Sequence, residues 1–100
     1  SGQISFLRIN PGHSRGKHFH HTKLEKFIVV SGVSKFRFRN ILTDEACEIE
    51  IDGSNTVKVV ETIPGWAHEI INVSAQDLVV LVWSNEIFDP NKPDTFASAV

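Results

Sequence analysis

Two histidines and a glutamate, spaced His18-x-His20-x(4)-Glu25 within GHSRGKHFHHTKLEKFIVVSG, are the residues of this chain best suited to chemistry. On an extended strand, side chains at i and i+2 share a face, so His18 and His20 can aim at one point while Phe19 faces away. Glu25 falls out of that alternation, and a turn around His21-Thr22-Lys23 is expected to intervene. A second strand, EKFIVV, then starts at Glu25 and turns Glu25, Phe27 and Val29 inward, so the carboxylate can join the imidazoles from a neighbouring strand. His13 sits in a Gly/Ser-rich segment and His21 in the turn. That leaves His68, at the start of a short apolar strand after Pro64-Gly65, as the fourth ligand. Three imidazoles and one carboxylate form a borderline nitrogen/oxygen set. It suits a divalent metal, zinc first, with Fe, Mn, Co or Ni also accommodated.

The elements that must position these groups read as strands. Ile4 to Ile9 alternates weakly and ends in the turn Asn10-Pro11-Gly12. His13 to Lys17, with Arg15 and Lys17 among Gly and Ser, reads as a loop and a cationic approach to the first ligand, suited to a phosphate. Ser31-Gly32 turns the chain again. Lys35 to Asn40 and Ala46 to Ile51 read as a hairpin. Pairing opposite charges on one face sets its expected register, with Arg39 opposite Glu48, Arg37 opposite Glu50, Phe38 opposite Ile49 and Phe36 opposite Ile51. A turn over Asp52 to Asn55, a strand from Val57 to Glu61 and the Pro64-Gly65 turn follow. Leu78 to Trp83, LVVLVW, is apolar almost without a break, so both its faces are expected to be covered, one by the core and one by a partner subunit. After Ser84 the chain, with Pro90 and Pro93, is expected to wrap the surface without regular structure. There is no helical period and no repeat. About eight short strands separated by Gly, Pro and Asn turns indicate an all-β sandwich or barrel.

One hundred residues make one domain, 1–100, with a core near the lower limit of self-sufficiency, so a homodimer is expected. A net charge of -2 gives no reason to expect nucleic acid or an anionic membrane, and no apolar run approaches a membrane span. Cys47 is the single cysteine, which excludes an internal disulfide and fits a reducing, cytoplasmic setting. The chain holds no methionine, as expected of a domain excised from a longer protein.

Gly12, His18, His20, Glu25 and Gly32 match the first cupin motif at every defining position, and Gly65, His68 and Asn72 match the second. With HHTKLEKF, the RFR strand and the ending WSNEIFDPNKPDTF, the chain resembles a narrower group. These are the C-terminal cupin domains of bifunctional UDP-sugar epimerase/reductases of capsule synthesis, which act on the route to UDP-N-acetyl-L-fucosamine. The resemblance implies a small jelly-roll barrel of antiparallel strands. It also implies metal-dependent 3-epimerisation of a UDP-2-acetamido-2,6-dideoxy-4-ketohexose, ahead of an N-terminal short-chain reductase domain that uses NADPH and lies outside this chain. His18, His20, Glu25 and His68 would carry the metal. Lys17 and Lys23 are favoured as the acid/base pair among Lys17, His21, Lys23, Lys26 and Glu69, and Trp66 is a candidate to stack on uracil or sugar. The same ligand set also occurs in Fe or Mn cupin dioxygenases and decarboxylases, and a structural zinc serving dimerisation is a further alternative.

Overall fold

The computed structural model describes residues 2–55, 57–86, 91 and 94–100; the expected role of Pro90 and Pro93 in the tail lies outside them. Among the described residues nine strands form two antiparallel sheets, as the turn-punctuated apolar runs predict. They are β1 (Gln3–Ile9), β2 (Ser14–Phe19), β3 (Glu25–Ser31), β4 (Val33–Asn40), β5 (Ala46–Asp52), β6 (Val59–Thr62), β7 (Trp66–Asn72), β8 (Leu78–Ser84) and β9 (Phe96–Ala97). One sheet runs β1-β8-β3-β6 and the other β5-β4-β7-β2-β9. Their facing sides form the core of a small jelly-roll barrel. Phe27, Val29, Val60, Leu78, Val80 and Val82 come from the first sheet, and Phe36, Phe38, Ile51 and Ile70 from the second.

Three expectations are corrected. The segment His13 to Lys17 is not a loop: Ser14, Arg15 and Gly16 pair with Ile71, Ile70 and Glu69 of β7, so sheet pairing overrides the Gly/Ser composition. The β4–β5 hairpin forms, but two residues tighter than expected. Arg37 lies opposite Glu48 and Phe36 opposite Ile49, while Arg39 reaches Ala46. The turn accounts for the difference. The Asn40 side chain accepts the N–H groups of Leu42 and Thr43, the Asn40 N–H donates to the Glu45 carbonyl, and Asp44 takes a left-handed φ of 61°. Arg39 then finds Asp44 at 2.7 Å instead of Glu48. Finally, the tail is not wholly irregular, since Phe96 and Ala97 add a short strand to the edge of β2.

β8 buries only one of its apolar faces within this chain. Leu78, Val80 and Val82 point into the core, while Leu81 and Trp83 face outward and remain 39% and 38% exposed. Opposite them on β1, Phe6 and Ile4 are exposed as well, which leaves the outside of this sheet apolar. The outside of the other sheet is charged. A ladder of Lys17, Glu69, Arg37 and Glu48 crosses β2, β7, β4 and β5, with nitrogen to oxygen separations of 3.7, 3.5 and 3.0 Å.

Asn72 shows why a polar residue closes β7. Its side-chain amide donates to the carbonyls of Ile9 at 2.8 Å and Gln76 at 2.7 Å, and its oxygen accepts the N–H and hydroxyl of Ser74. It therefore ties the end of β1 to the turn before β8. Asn72→Ala would leave these groups unpaired in a buried setting. We expect a loss of about 2–4 kcal/mol, read from the urea unfolding midpoint, because each orphaned buried group costs about 1–3 kcal/mol.

Candidate metal centre

The geometry of the site begins with an irregularity in β2. Plain alternation from Arg15, which faces inward with Ile70, would put Lys17 inside and His18 outside. A β-bulge between Gly16 and His18 reverses this, and His18 pairs with His68 across the strands. Lys17 absorbs the extra residue at φ 61°, and Gly16 lies at φ 114°. A Cβ at Gly16 would stand 2.6 Å from the His68 carbonyl oxygen, so only glycine allows β2 to approach β7 this closely.

The bulge also decides where Lys17 goes. Its ammonium lies on the outer face, 3.7 Å from a Glu69 carboxylate that is itself 5% exposed, with the sheet between it and the imidazoles. The structure does not bring Lys17 to the cluster. His21 packs against the rings of Phe19 and Phe96, and Lys26 lies over Trp83 on the apolar outer face. Glu69 is held between Lys17 and Arg37, and Trp66 packs against the core. Of the expected titratable neighbours, Lys23 is the one whose charge is felt at both His18 and Glu25.

The four ligand candidates do come together. One donor atom from each of His18, His20, Glu25 and His68 lies within 4.8 Å of all the others. The ring centroids stand 5.1 Å (His18 to His20), 4.6 Å (His18 to His68) and 5.6 Å (His20 to His68) apart. Glu25 reaches them from the facing sheet, where β3 is fixed between Thr62 of β6 and Ser84 of β8. The site thus spans both sheets, whereas the sequence suggests adjacent strands. Between His20 and Glu25 the expected turn is present, and Asp94 and Asn85 accept all its N–H groups from His21 to Leu24.

His20 carries the clearest sign of what the cluster is built to hold. Its Nδ1 lies 2.7 Å from the Asp94 carbonyl oxygen, a contact that requires Nδ1 to carry the proton. Its Nε2 then presents a lone pair to Glu25 Oε1 at 3.0 Å. Two lone pairs at that distance repel unless a proton or a cation lies between them. Ligands on a tetrahedral zinc with bonds of about 2.0–2.1 Å sit roughly 3.4 Å apart, so small adjustments would seat an ion here. The donor set therefore fits a divalent metal.

Burial sets the charge states. His68, 2% exposed, is pushed down to about 4 by desolvation first and by His18 second, against the pull of Glu25. His18 is lowered for the same leading reason, with His20 next. Burial opposes the charge on Glu25, but the hydrogen bond with His20 and the nearby His20, His68 and Lys23 charges outweigh it and hold the carboxyl below its usual range. Burial thus favours the neutral form of His18 and His68 beside an ionised Glu25, and neutral imidazole and carboxylate are the forms that ligate a metal.

Two antiparallel sheets that close on a buried cluster of three histidines and a glutamate define a small β-barrel domain with a candidate metal centre between its layers. The chain belongs to the polysaccharide biosynthesis C-terminal domain family, whose pattern matches residues 1–96. It is 51% identical over 100 residues to the UDP-2-acetamido-2,6-beta-L-arabino-hexul-4-ose reductase of Pseudomonas aeruginosa, covering 100% of this chain and 27% of that protein. The capsular polysaccharide assembling protein CapF from Staphylococcus aureus is similar with a TM-score of 0.95 and 44% identity, over 99% of this chain and 29% of its own. NovW, a 4-keto-6-deoxy sugar epimerase from Streptomyces spheroides, shares the fold with a TM-score of 0.80 at 16% identity, over 95% of this chain and 50% of its own. The chain thus spans little more than a quarter of the curated relative it matches.

The lowered imidazoles predict an acid limit. A histidine whose folded pKa lies below its unfolded value contributes stability that is complete above the unfolded pKa near 6.5 and is lost as pH falls toward the folded value, about 4 for His68. Thermal melts of the metal-free chain between about pH 7 and about pH 4.5 are expected to fall steadily. Replacing His68 with Gln should flatten that profile.

Proposed function

We propose that this domain performs the metal-dependent 3-epimerisation of a UDP-2-acetamido-2,6-dideoxy-4-ketohexose during the synthesis of a surface-polysaccharide precursor. The observation that carries the reading is the convergence of His18, His20, Glu25 and His68 beside a cavity between the sheets. The name of the Pseudomonas relative, a reductase of a 4-keto-2-acetamido-2,6-dideoxy sugar nucleotide, supports the substrate class. On this reading an NADPH-dependent reductase domain of a longer protein takes the epimerised sugar next.

The cavity is about 190 Å³ and is lined by Ser5, Leu7, Arg15, Phe27, Ile70 and Val82 together with His18, Glu25 and His68. That is below the roughly 300–1,000 Å³ that encloses a drug-sized ligand, so it suits one sugar ring with the nucleotide outside. Arg15 faces this space from β2 and supplies a planar cation for the diphosphate. Leu7, Phe27, Ile70 and Val82 exclude water, which strengthens every charge interaction at the ring.

Carbon 3 lies α to the ketone at carbon 4, so its proton becomes removable once the developing enolate is stabilised. A divalent metal held by His18, His20, Glu25 and His68, zinc first, would supply Lewis-acid stabilisation of that charge. Inversion then needs a base on one face of the ring and a proton donor on the other. Lys23 is assigned one of these roles, since its charge reaches both His18 and Glu25. The apolar outer face with Phe6, Leu81 and Trp83 serves self-association into a homodimer.

Solvent deuterium at carbon 3 of the keto-sugar nucleotide, followed by NMR, tests the proposal. Exchange is expected from the metal-loaded chain, and a loss of at least about 10²-fold on chelation or in His20→Ala. Full exchange in a metal-free variant would sink this epimerase mechanism. Oxygen uptake without exchange would support a dioxygenase, and a metal-dependent dimer without turnover would support a structural zinc.

A further inference from the structure

The loop that joins His20 to Glu25 is shaped from outside. Three consecutive amides, those of His21, Thr22 and Lys23, converge on the carboxylate of Asp94 in the C-terminal tail, each at 2.9 Å. The Thr22 hydroxyl adds a fourth hydrogen bond at 3.0 Å. A run of N–H groups turned to one point forms an anion-binding concavity, and the tail supplies the anion. The same residue acts a second time through its backbone, because the Asp94 carbonyl accepts the Nδ1–H of His20 at 2.7 Å. The Thr95 hydroxyl lies 3.4 Å from the same nitrogen. Further along, the Ser98 N–H donates to the Lys17 carbonyl, and Phe96 and Ala97 pair with β2, so the tail is anchored beyond Asp94 as well.

We propose that Asp94 is the positioning residue of the metal centre, its carboxylate folding the 21–23 loop and its carbonyl orienting His20, so that tail docking and metal uptake are coupled. The inference rests on the metal reading of the site. The geometry behind it is specific. A carboxylate bound by the loop fixes where its own carbonyl sits, and that carbonyl fixes the tautomer and the aim of His20. With Nδ1 committed, Nε2 is left as the donor atom facing Glu25. Outer hydrogen bonds of this kind orient ligands, and losing one costs metal affinity. Because coupling is reciprocal, bound metal must also hold the tail more tightly.

The test is zinc affinity, measured by competition with a chromophoric chelator in the wild-type chain, Asp94→Ala, Asp94→Asn and Thr22→Val. Asp94→Ala is expected to bind zinc about 10–100-fold more weakly. Asp94→Asn should fall close to it, since the amide keeps only one acceptor oxygen for four donors. Thr22→Val, which removes the hydroxyl bond alone, should lose about threefold and serves as the deciding variant if Asp94→Ala does not fold. Cobalt(II) in place of zinc should show displaced visible bands in Asp94→Ala, a change that general destabilisation would not produce. Wild-type zinc affinity and an unchanged cobalt spectrum in Asp94→Ala would overturn the proposal. A wild-type chain that takes up no zinc would defeat the metal reading separately. The positioning claim is then decided by amide exchange in the metal-free protein, where equal rates at residues 21–23 in wild type and Asp94→Ala refute it.

Discussion

The contact between His20 Nε2 and Glu25 Oε1, 3.0 Å apart and contributed by opposite layers of the barrel, is the constraint on which much of this structure depends. With Nδ1 committed to a carbonyl, a neutral His20 presents only a lone pair at Nε2, so the pair is attractive only with a proton or a cation between the two atoms. Desolvation sharpens the demand. With His20 and His68 nearly inaccessible, water cannot screen the lone pairs, and an unpaired charge there would be costly. The local features around the cluster serve to hold these donors at close range: the bulge in β2, the loop gathered on Asp94, and Glu25 fixed between Ser84 and Thr62.

The two outer faces divide the remaining work. On the five-stranded sheet, alternating charges cross four strands, and Arg37 and Arg39 donate to the carbonyls of Val100 and Ala99, so the tail is laid down over a polar surface. On the four-stranded sheet the outer residues are apolar, and hydrophobic side chains of β1 and β8 stand next to one another in register. One face therefore holds residues 99 and 100 of the chain, and the other is an exposed apolar surface.

Much of this is legible in the sequence because it follows from short-range rules. The two-residue period puts His18 and His20 together, the inward set Glu25, Phe27 and Val29 follows from the same alternation, and Pro64-Gly65 announces the strand that carries His68. What is not legible depends on pairing partners remote in the chain. Ser14 to Lys17 carries no strand propensity of its own and is extended because β7 pairs with it. Lys17 reads as a site residue because nothing in its neighbours reports the bulge that turns it outward. Charge pairing in the hairpin is satisfied by several alignments, whereas the Asn40 turn selects one. Asp94 leaves no local signal either, since its partners lie some seventy residues away, an order of separation that only folding reveals.

The bulge at Lys17 has a further implication for how this segment can vary. Because Lys17 is the one residue in excess of the ladder, removing it would restore plain alternation and leave His18 opposite His68, whereas losing the bulge at unchanged length would exchange the faces beyond Gly16 and carry His18 to the solvent side. Lys17 is in this sense a phase correction within β2. The segment's information lies in the count of residues against β7 and in the glycine that admits the close approach, so the frame in which the strand reaches the barrel interior is set before any ligand side chain is specified.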